Sequence, residues 1–450
     1  MAAALGVLVS CGSVKSGEEV VAASRDSKVV VAYVTSWSEV MPDPQYMTHI
    51  NYAFGHVNES FNGVKIDNEE RLRQIVDLRK QKPELKVLLS IGGWGSGRFS
   101  EMAANDEYRR AFAADCDRVV KEFALDGIDI DWEYPTSSMA NISSSPDDTE
   151  NFTLLMQDIR AAIGNEKELT LATVASARYI DFKAILPSVD FVNIMAYDMA
   201  SAPKHHSALY PSGHSGDITS DGAVTAHLKA GVPPSKLVMG MPFYGRGGDG
   251  YPSFQDYNKV GNTDTQYTEK WDEVAQVPYL ADKNDTLVFG FENPRSLAIK
   301  CQYILDKDLL GGMYWDYSGD NEQGDLRRTV AENLLGKPHK AKVLVLTERG
   351  GQHGGFTDAG LRWLAAEGVK GNFSITEINN ARNITEAYLS QFSLVIQLDF
   401  PPYTWPKEAE DAFVKYIEEG RGGWIGFHHA TLLGEFDGYP MWQWFSDFMG

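Results

Sequence analysis

The feature that most constrains this chain is a repeated alternation of short apolar runs with amphipathic stretches. Strand-like runs recur at Val29–Ser36, His49–Phe54, Lys86–Ile91, Gly127–Trp132, Leu169–Ala175, Phe191–Ala196, Leu237–Met241 and Gly312–Tyr317. Helical patterns fall between them at Glu69–Lys82, Tyr108–Phe123, Thr149–Ile163, Ala223–Ala230 and Ser296–Lys307. Parallel strands need crossovers, and helices supply them. Eight such units over about 310 residues predict a closed α/β fold, the (β/α)8 TIM barrel. A doubly wound open sheet is the alternative; the count of eight, and polar residues at the C-terminal ends of several strands, favour closure.

A second pattern starts after Gly336-Lys337-Pro338, which reads as a linker. Lys342–Thr347, Phe373–Ile378, Leu394–Leu398 and Gly423–Phe427 have strand character, with helices at Thr357–Glu367 and Lys407–Glu419. This βαβ series predicts a small doubly wound domain, with a last unit near Met441 that reads as unfinished. The expected organisation is a leader and tether at 1–26, a barrel domain at 27–338 and an incomplete α/β domain at 341–450.

Charge excludes some partners. The formal net charge is -21, from 62 Asp+Glu against 41 Lys+Arg, whereas nucleic acid or an anionic lipid surface requires a basic footprint. The three cysteines, Cys11, Cys116 and Cys301, provide no disulfide framework. Cys116 and Cys301 fall in predicted helices and are expected to be core thiols. No apolar run is long enough to span a bilayer. The start differs: Leu8-Val9-Ser10-Cys11 follows a small apolar stretch and resembles a bacterial lipoprotein signal, although no Lys or Arg precedes it. The expectation is a secreted chain, or one anchored to the cell envelope through lipid on Cys11, with no other membrane contact.

The chemistry concentrates in Asp126-Gly127-Ile128-Asp129-Ile130-Asp131-Trp132-Glu133-Tyr134-Pro135. On a strand, Asp129, Asp131 and Glu133 share one face, about 6.5–7 Å apart in succession, and Ile128, Ile130 and Trp132 take the other. Three carboxylates inside a barrel repel one another, so at least one is expected to hold a proton near neutral pH. A general acid needs that proton. A solvated acidic edge strand would show the same alternation, but a strand in the middle of a barrel has no solvated edge.

These residues resemble glycoside hydrolase family 18, the chitinases and related endo-β-N-acetylglucosaminidases. The resemblance covers about residues 28–336. It rests on Ser90-Ile91-Gly92-Gly93-Trp94, on the Asp-x-x-Asp-x-Asp-x-Glu signature at Asp126, Asp129, Asp131 and Glu133, and on Met195-Ala196-Tyr197-Asp198. Met241-Pro242-Phe243-Tyr244-Gly245-Arg246 and Gly311-Gly312-Met313-Tyr314-Trp315-Asp316 complete it. It implies a retaining glycosidase acting on N-acetylglucosamine polymers, in which the substrate's own 2-acetamido group replaces the usual second carboxylate. Glu133 would be the proton donor. Asp131 would hold the acetamido N–H, Asp129 would share a proton or hydrogen bond with Asp131, and Tyr197 would donate to the acetamido oxygen. Trp315 would floor the cleavage subsite, with Phe54 beside it, and Trp94 and Trp37 would stack on sugars along the cleft. Asp198, Met195, Tyr134, Arg246 and Asp126 join the expected substrate-binding set. No metal or organic cofactor is implied. The His205-His206 pair and His214 are expected to face solvent.

Chitin or chito-oligosaccharide is favoured as substrate over N-glycans, because of the Trp-Glu-Tyr-Pro run. A non-catalytic lectin is disfavoured because position 133 is Glu. Only about 40 residues separate Gly247 from Leu287, too few for a full extra α+β domain, so a shallow groove that cuts internally is expected. The tail resembles the trehalose-utilisation (ThuA-like) family, related in fold to glutamine amidotransferases, through Val343-Leu344-Val345-Leu346-Thr347 and Gly420-Arg421-Gly422-Gly423-Trp424-Ile425-Gly426-Phe427-His428-His429-Ala430. No nucleophilic Cys sits on its strand-to-helix turn. His353, His428 and His429 are the candidates for contact with a ligand there.

Overall fold

The computed structural model describes residues 28–248, 251–260, 266–336, 341–349, 353–371, 373–435 and 438–450. The Leu8–Cys11 run and Lys337-Pro338 lie outside these residues. The chain divides into two compact units, Met1–Gly336 and Lys337–Gly450.

In the first unit eight parallel strands run in order: Val29–Thr35, His49–Val57, Lys86–Gly92, Gly127–Asp131, Glu168–Val174, Phe191–Met195, Leu237–Pro242 and Gly311–Trp315. The first strand pairs with the second, and also with the eighth from Val29↔Gly311 to Ala32↔Tyr314. That last pairing rules out the open sheet, which would leave both strands as edges. Helices cover the outside, so strands are buried on both faces and their sequences are nearly continuously apolar. Val30, Ala32 and Val34 pack outward into the helix layer, while Val31 and Tyr33 join Ala53, Phe54, Phe191, Val238 and Met313 inside the barrel.

The fourth strand obeys the same alternation. Ile128, Ile130 and Trp132 are buried in the outer layer, and Trp132 stacks on Phe99 with ring centroids 5.3 Å apart. Asp129 and Asp131 are buried on the inner side. A slip of one residue would exchange the two sets and put carboxylates into the helix layer. Gly92 makes the neighbouring strand fit: its φ is +132°, and a Cβ there would lie 1.9 Å from the Asp131 carbonyl oxygen.

Three features depart from the sequence expectations. The second strand extends to Val57 because Val64–Ile66 returns antiparallel to it. A helix at Asp325–Leu334 buries Leu326, Val330 and Leu334; its N-cap is Gly324, which makes no side-chain cap, so the usual start signal is missing. After the seventh strand, Tyr244–Gly247, Gln255–Asp256, Thr268–Asp272, Val277–Ala281 and Leu287–Gly290 form an antiparallel five-stranded sheet. These strands are too short for a period-2 pattern to stand out.

The loop after the sixth strand is fastened to the helix Pro294–Asp306 by a buried ion pair. Lys300 and Glu292 are both fully buried, and Lys300 Nζ pairs with Glu292 Oε1. Lys300 Nζ also donates to the Ser207 carbonyl at 2.5 Å, and Ser207 Oγ donates to Glu292 Oε1 at 2.6 Å. Lys300→Met removes the cation and leaves a carboxylate buried without a counter-charge, which is expected to cost about 3–5 kcal/mol. Denaturant unfolding reads this as a lower midpoint at unchanged slope; a loss below about 1 kcal/mol would show that the pair does not hold this loop.

The second unit holds a four-stranded parallel sheet in spatial order Phe373–Ile378, Ala341–Leu346, Leu394–Gln397, Gly423–Gly426, with helices at Gly354–Gly371 and Lys407–Glu418. A last helix spans Gln443–Met449. The order matches the small doubly wound domain expected. Among the described residues no helix is long and apolar enough to cross a membrane.

Candidate active site

The C-terminal ends of the barrel strands surround a cavity of about 660 Å³. Asp131 and Glu133 reach it from the fourth strand, Phe54 from the second, Met195, Tyr197 and Asp198 from the sixth, and Trp315 from the eighth. Trp37, Trp94, Tyr134 and Arg246 complete the part of the lining expected from sequence. This is the end of a barrel where loops and strand termini bring chemistry together.

Asp129 lies under the cavity floor rather than in the lining. Its carboxylate accepts from Thr170 Oγ1 at 2.6 Å, Ser90 Oγ at 2.8 Å, Tyr33 Oη at 2.9 Å and Asn193 Nδ2 at 3.3 Å. Burial raises its pKa, and these donors oppose the rise. Asp129 is therefore occupied on both oxygens and makes no hydrogen bond to Asp131, unlike the sharing that the resemblance implies. Asp131 has no such support. Burial first, then the charges of Glu133 and Asp129, push its carboxyl well above the usual range. Its Oδ1 is buried and finds no hydrogen-bond partner within the protein. A buried polar atom is costly when unmatched, so this oxygen is a contact point for a polar group in the cavity.

Glu133 is pushed up to about 7, mainly by burial, with the Tyr134 hydroxyl pulling it down and Asp198 adding a smaller upward push. It thus holds a proton up to about pH 7 and can release it. Tyr197 stays protonated, because burial and the charges of Asp131, Glu133 and Asp198 all raise its hydroxyl. Its Oη lies 3.9 Å from Met313 Sδ, a weak acceptor. The hydroxyl is left to donate into the cavity.

Asp198 is in a different state. Arg246 grips it in a fork, Nε to Oδ1 at 2.7 Å and Nη2 to Oδ2 at 2.6 Å. Burial alone would raise its carboxyl, but Arg246 and His206 hold it well below the ordinary range. A carboxylate clamped this way is a poor nucleophile or base.

The floor is aromatic. Phe54 and Trp315 stack with centroids 5.5 Å apart, and Tyr33 and Trp37 close in on Trp315 at 5.7 and 6.4 Å. Trp37 and Trp94 remain 64% and 61% exposed. Among the described residues, non-proline cis peptide bonds lie at Ala53–Phe54 within the second strand, at Glu133–Tyr134 just past the fourth and at Trp315–Asp316 at the end of the eighth.

Two expectations are overturned. Asp126 does not belong to the substrate-binding set. It precedes the fourth strand, accepts from the Val87 N–H at 2.7 Å and pairs with Arg79, at the opposite barrel end from Asp131. Roughly 16 Å of extended chain separates the two. His205 and His206 do not face solvent. Both are buried; His205 Nε2 lies 3.2 Å from Asp272 Oδ2, and burial lowers its pKa to about 4 against the pull of Asp272. His206 packs on Tyr244 at 5.3 Å, with Nδ1 3.5 Å from Asp198 Oδ1. His214 is exposed, as expected. Cys116 and Cys301 are free thiols buried in their helices.

Sequence reasoning missed Tyr33, Tyr244 and Phe254. Tyr33 carried a signal, since strand alternation turns it inward with Val31. Tyr244 stood inside a quoted motif without a role. Phe254 stacks on Tyr244 at 4.7 Å with Arg246 over both rings, and nothing local in its Gly-rich segment announces this.

Comparison with known proteins bears directly on this arrangement. The family model described as glycosyl hydrolases family 18 matches residues 29–320. The chain belongs to that family. Chitinase A1 of Niallia circulans is 30% identical over 409 residues, covering 67% of this chain and 58% of the relative. Chitotriosidase-1 of Mus musculus is 31% identical, covering 66% of this chain and 74% of the relative. A solved family 18 N-acetylglucosaminidase from Paenibacillus barengoltzii superposes with a TM-score of 0.63 at 32% identity, covering 68% of this chain and 99% of that one. The chain thus spans less than two thirds of the length of Chitinase A1. A second family model, described as trehalose utilisation, matches residues 342–450. The family 18 match covers the barrel and all the residues that line the cavity described above.

Proposed function

We propose that the family 18 barrel cleaves β-1,4-linked N-acetylglucosamine chains, chitin or chito-oligosaccharides, with retention of configuration. The observation that carries this is the inequality of the carboxyls in the cavity: Glu133 keeps a proton to about pH 7, while Asp198 is locked by Arg246. An acid is present, and the carboxylate beside it is not free to attack. The substrate's own acetamido oxygen is then the nucleophile.

Glu133 transfers its proton to the glycosidic oxygen as the bond to the anomeric carbon breaks. The acetamido oxygen forms the new bond to that carbon, giving an oxazolinium ion. Asp131 takes the acetamido N–H on its unmatched Oδ1 and faces the positive charge; Tyr197 donates to the acetamido oxygen. Water then attacks the anomeric carbon, losing a proton to Glu133, and the oxazolinium bond breaks. Similarity to the two chitin-named relatives and to the N-acetylglucosaminidase supports the substrate class. The exposed Trp37 and Trp94 support a groove that holds several sugars and cuts internally.

Purified protein is digested against chitin oligosaccharides and a high-mannose glycoprotein, with products identified by mass. Cleavage of the oligosaccharides at internal bonds is expected. Release of glycan from the glycoprotein alone would move the substrate to N-glycans, and disaccharide as the sole early product from polymer would refute internal cutting. Trp94→Ala is expected to raise KM for long oligosaccharides about 5–10-fold, the loss of roughly one aromatic contact. The same variant should leave kcat on the shortest cleaved substrate unchanged; an equal effect on short and long substrates would remove Trp94 from the outer groove.

A location at the cell envelope, through acylation of Cys11, rests on the Leu8–Cys11 run alone. Retention of a Cys11→Ser variant in the membrane fraction would overturn it.

A further inference from the structure

The second unit gathers three imidazoles that are far apart in sequence. The strand Ala341–Leu346 sits between Phe373–Ile378 and Leu394–Gln397, so the chain leaves it once to each side. In such sheets ligands bind at the carboxyl ends of the strands beside that switch point. His353 follows the central strand and leads into the helix Gly354–Gly371, and His428 and His429 follow the strand Gly423–Gly426. A ring nitrogen from each of the three lies within 4.8 Å of the other two. His428 Nε2 and His353 Nε2 stand 3.4 Å apart. That is the edge of a tetrahedron around an ion with metal–nitrogen bonds of about 2.0–2.1 Å.

The surroundings fit ligation as well. Glu348 Oε2 lies 2.9 Å from His429 Nδ1, the carboxylate–imidazole contact that orients a ring to bind metal through its other nitrogen. Glu348 is held in turn: its backbone N–H donates to Asp399 Oδ1 at 2.7 Å, and Thr357 Oγ1 donates to Asp399 Oδ2 at 2.7 Å, with Asp399 and Thr357 fully buried. The three rings pack with centroids 4.3 to 4.6 Å apart, yet His428 is exposed and the others are half-buried. Core packing does not account for that convergence.

We propose that His353, His428 and His429 form a binding site for a divalent transition cation of the zinc class, with a fourth position open to water or an oxygen ligand. The sequence reading offered these three histidines as ligand contacts without bringing them together, since 75 residues separate His353 from His428. The site is independent of the barrel's chemistry.

The test uses the full chain, stripped with chelator and titrated with Zn²⁺ and, separately, Co²⁺. Wild type is expected to take up one ion per chain in the second unit, with the visible absorption of a low-coordinate nitrogen site for Co²⁺. His428→Gln keeps a polar side chain at an exposed position and is expected to weaken Zn²⁺ binding at least about 100-fold, and Glu348→Gln about 10–100-fold. His214→Gln, an exposed histidine of the barrel, leaves the affinity unchanged. No uptake by wild type at micromolar Zn²⁺ overturns the site, as does wild-type affinity in His428→Gln. Where that variant is unfolded by circular dichroism, His353→Gln decides by the same criterion.

Discussion

Glu133→Gln is expected to lower kcat on chito-oligosaccharides by about 10²–10⁴-fold, the range for removing a general acid, while leaving substrate binding within a few-fold of wild type. The reasoning starts from burial. The cavity raises the Glu133 carboxyl to about 7, so it stays protonated where an exposed glutamate would have ionised. Gln keeps the size and a hydrogen-bonding N–H but has no proton to give. The aromatic floor of Trp315 and Phe54 and the Tyr197 hydroxyl are untouched, so KM moves little. Oligosaccharide turnover by mass spectrometry gives kcat, and binding of uncleaved substrate follows from fluorescence of the cavity tryptophans. Turnover within about threefold of wild type would remove Glu133 from the chemistry.

The second large effect belongs to Asp131→Asn, for which a loss of about 10²–10³-fold in kcat is expected, comparable to removing one preorganised electrostatic group. Asp131 and Glu133 face the same cavity, and the charge of Glu133, once ionised, makes Asp131 harder to ionise. The sign follows. Glu133 acts in its protonated form, so activity is lost as pH rises through the value at which it ionises, about 7. Burial and the charge of Glu133 keep Asp131 protonated while Glu133 ionises, so a neutral amide in its place changes little of the charge that Glu133 meets. The alkaline limb of kcat should therefore stay near its wild-type position, while the rate falls because an amide cannot balance the charge of the oxazolinium. A pH–rate profile checks this: a lowered plateau with an unmoved alkaline limb is expected, and a limb moved to lower pH would show that Asp131 is already ionised beside protonated Glu133.

The barrel was legible because its signals are local. Eight apolar runs of strand length, separated by helical patterns, leave few arrangements, and pairing of the first strand with the eighth follows from that count. The same parity that turns Asp129 and Asp131 inward separates them from Asp126, which falls out of phase and before the strand. That distinction was readable and was obscured by treating the four acidic positions as one signature. The five-stranded excursion after the seventh strand was not readable, since strands as short as Gln255–Asp256 are defined by their partners and not by their own residues.

The sequence by itself determined the alternation of layers, the inward face of the fourth strand and the carboxyls gathered on it, because period-2 patterning and residue chemistry are properties of neighbours along the chain. Only the tertiary structure decided the state of each carboxyl: Asp129 saturated by four donors, Asp131 left with an unmatched oxygen, and Asp198 gripped by Arg246 from 48 residues away. It also decided that His206 lies buried beside Asp198 and that His353 meets His428. Electrostatic environment depends on what closes around a group from distant parts of the chain, and that closure has no local trace.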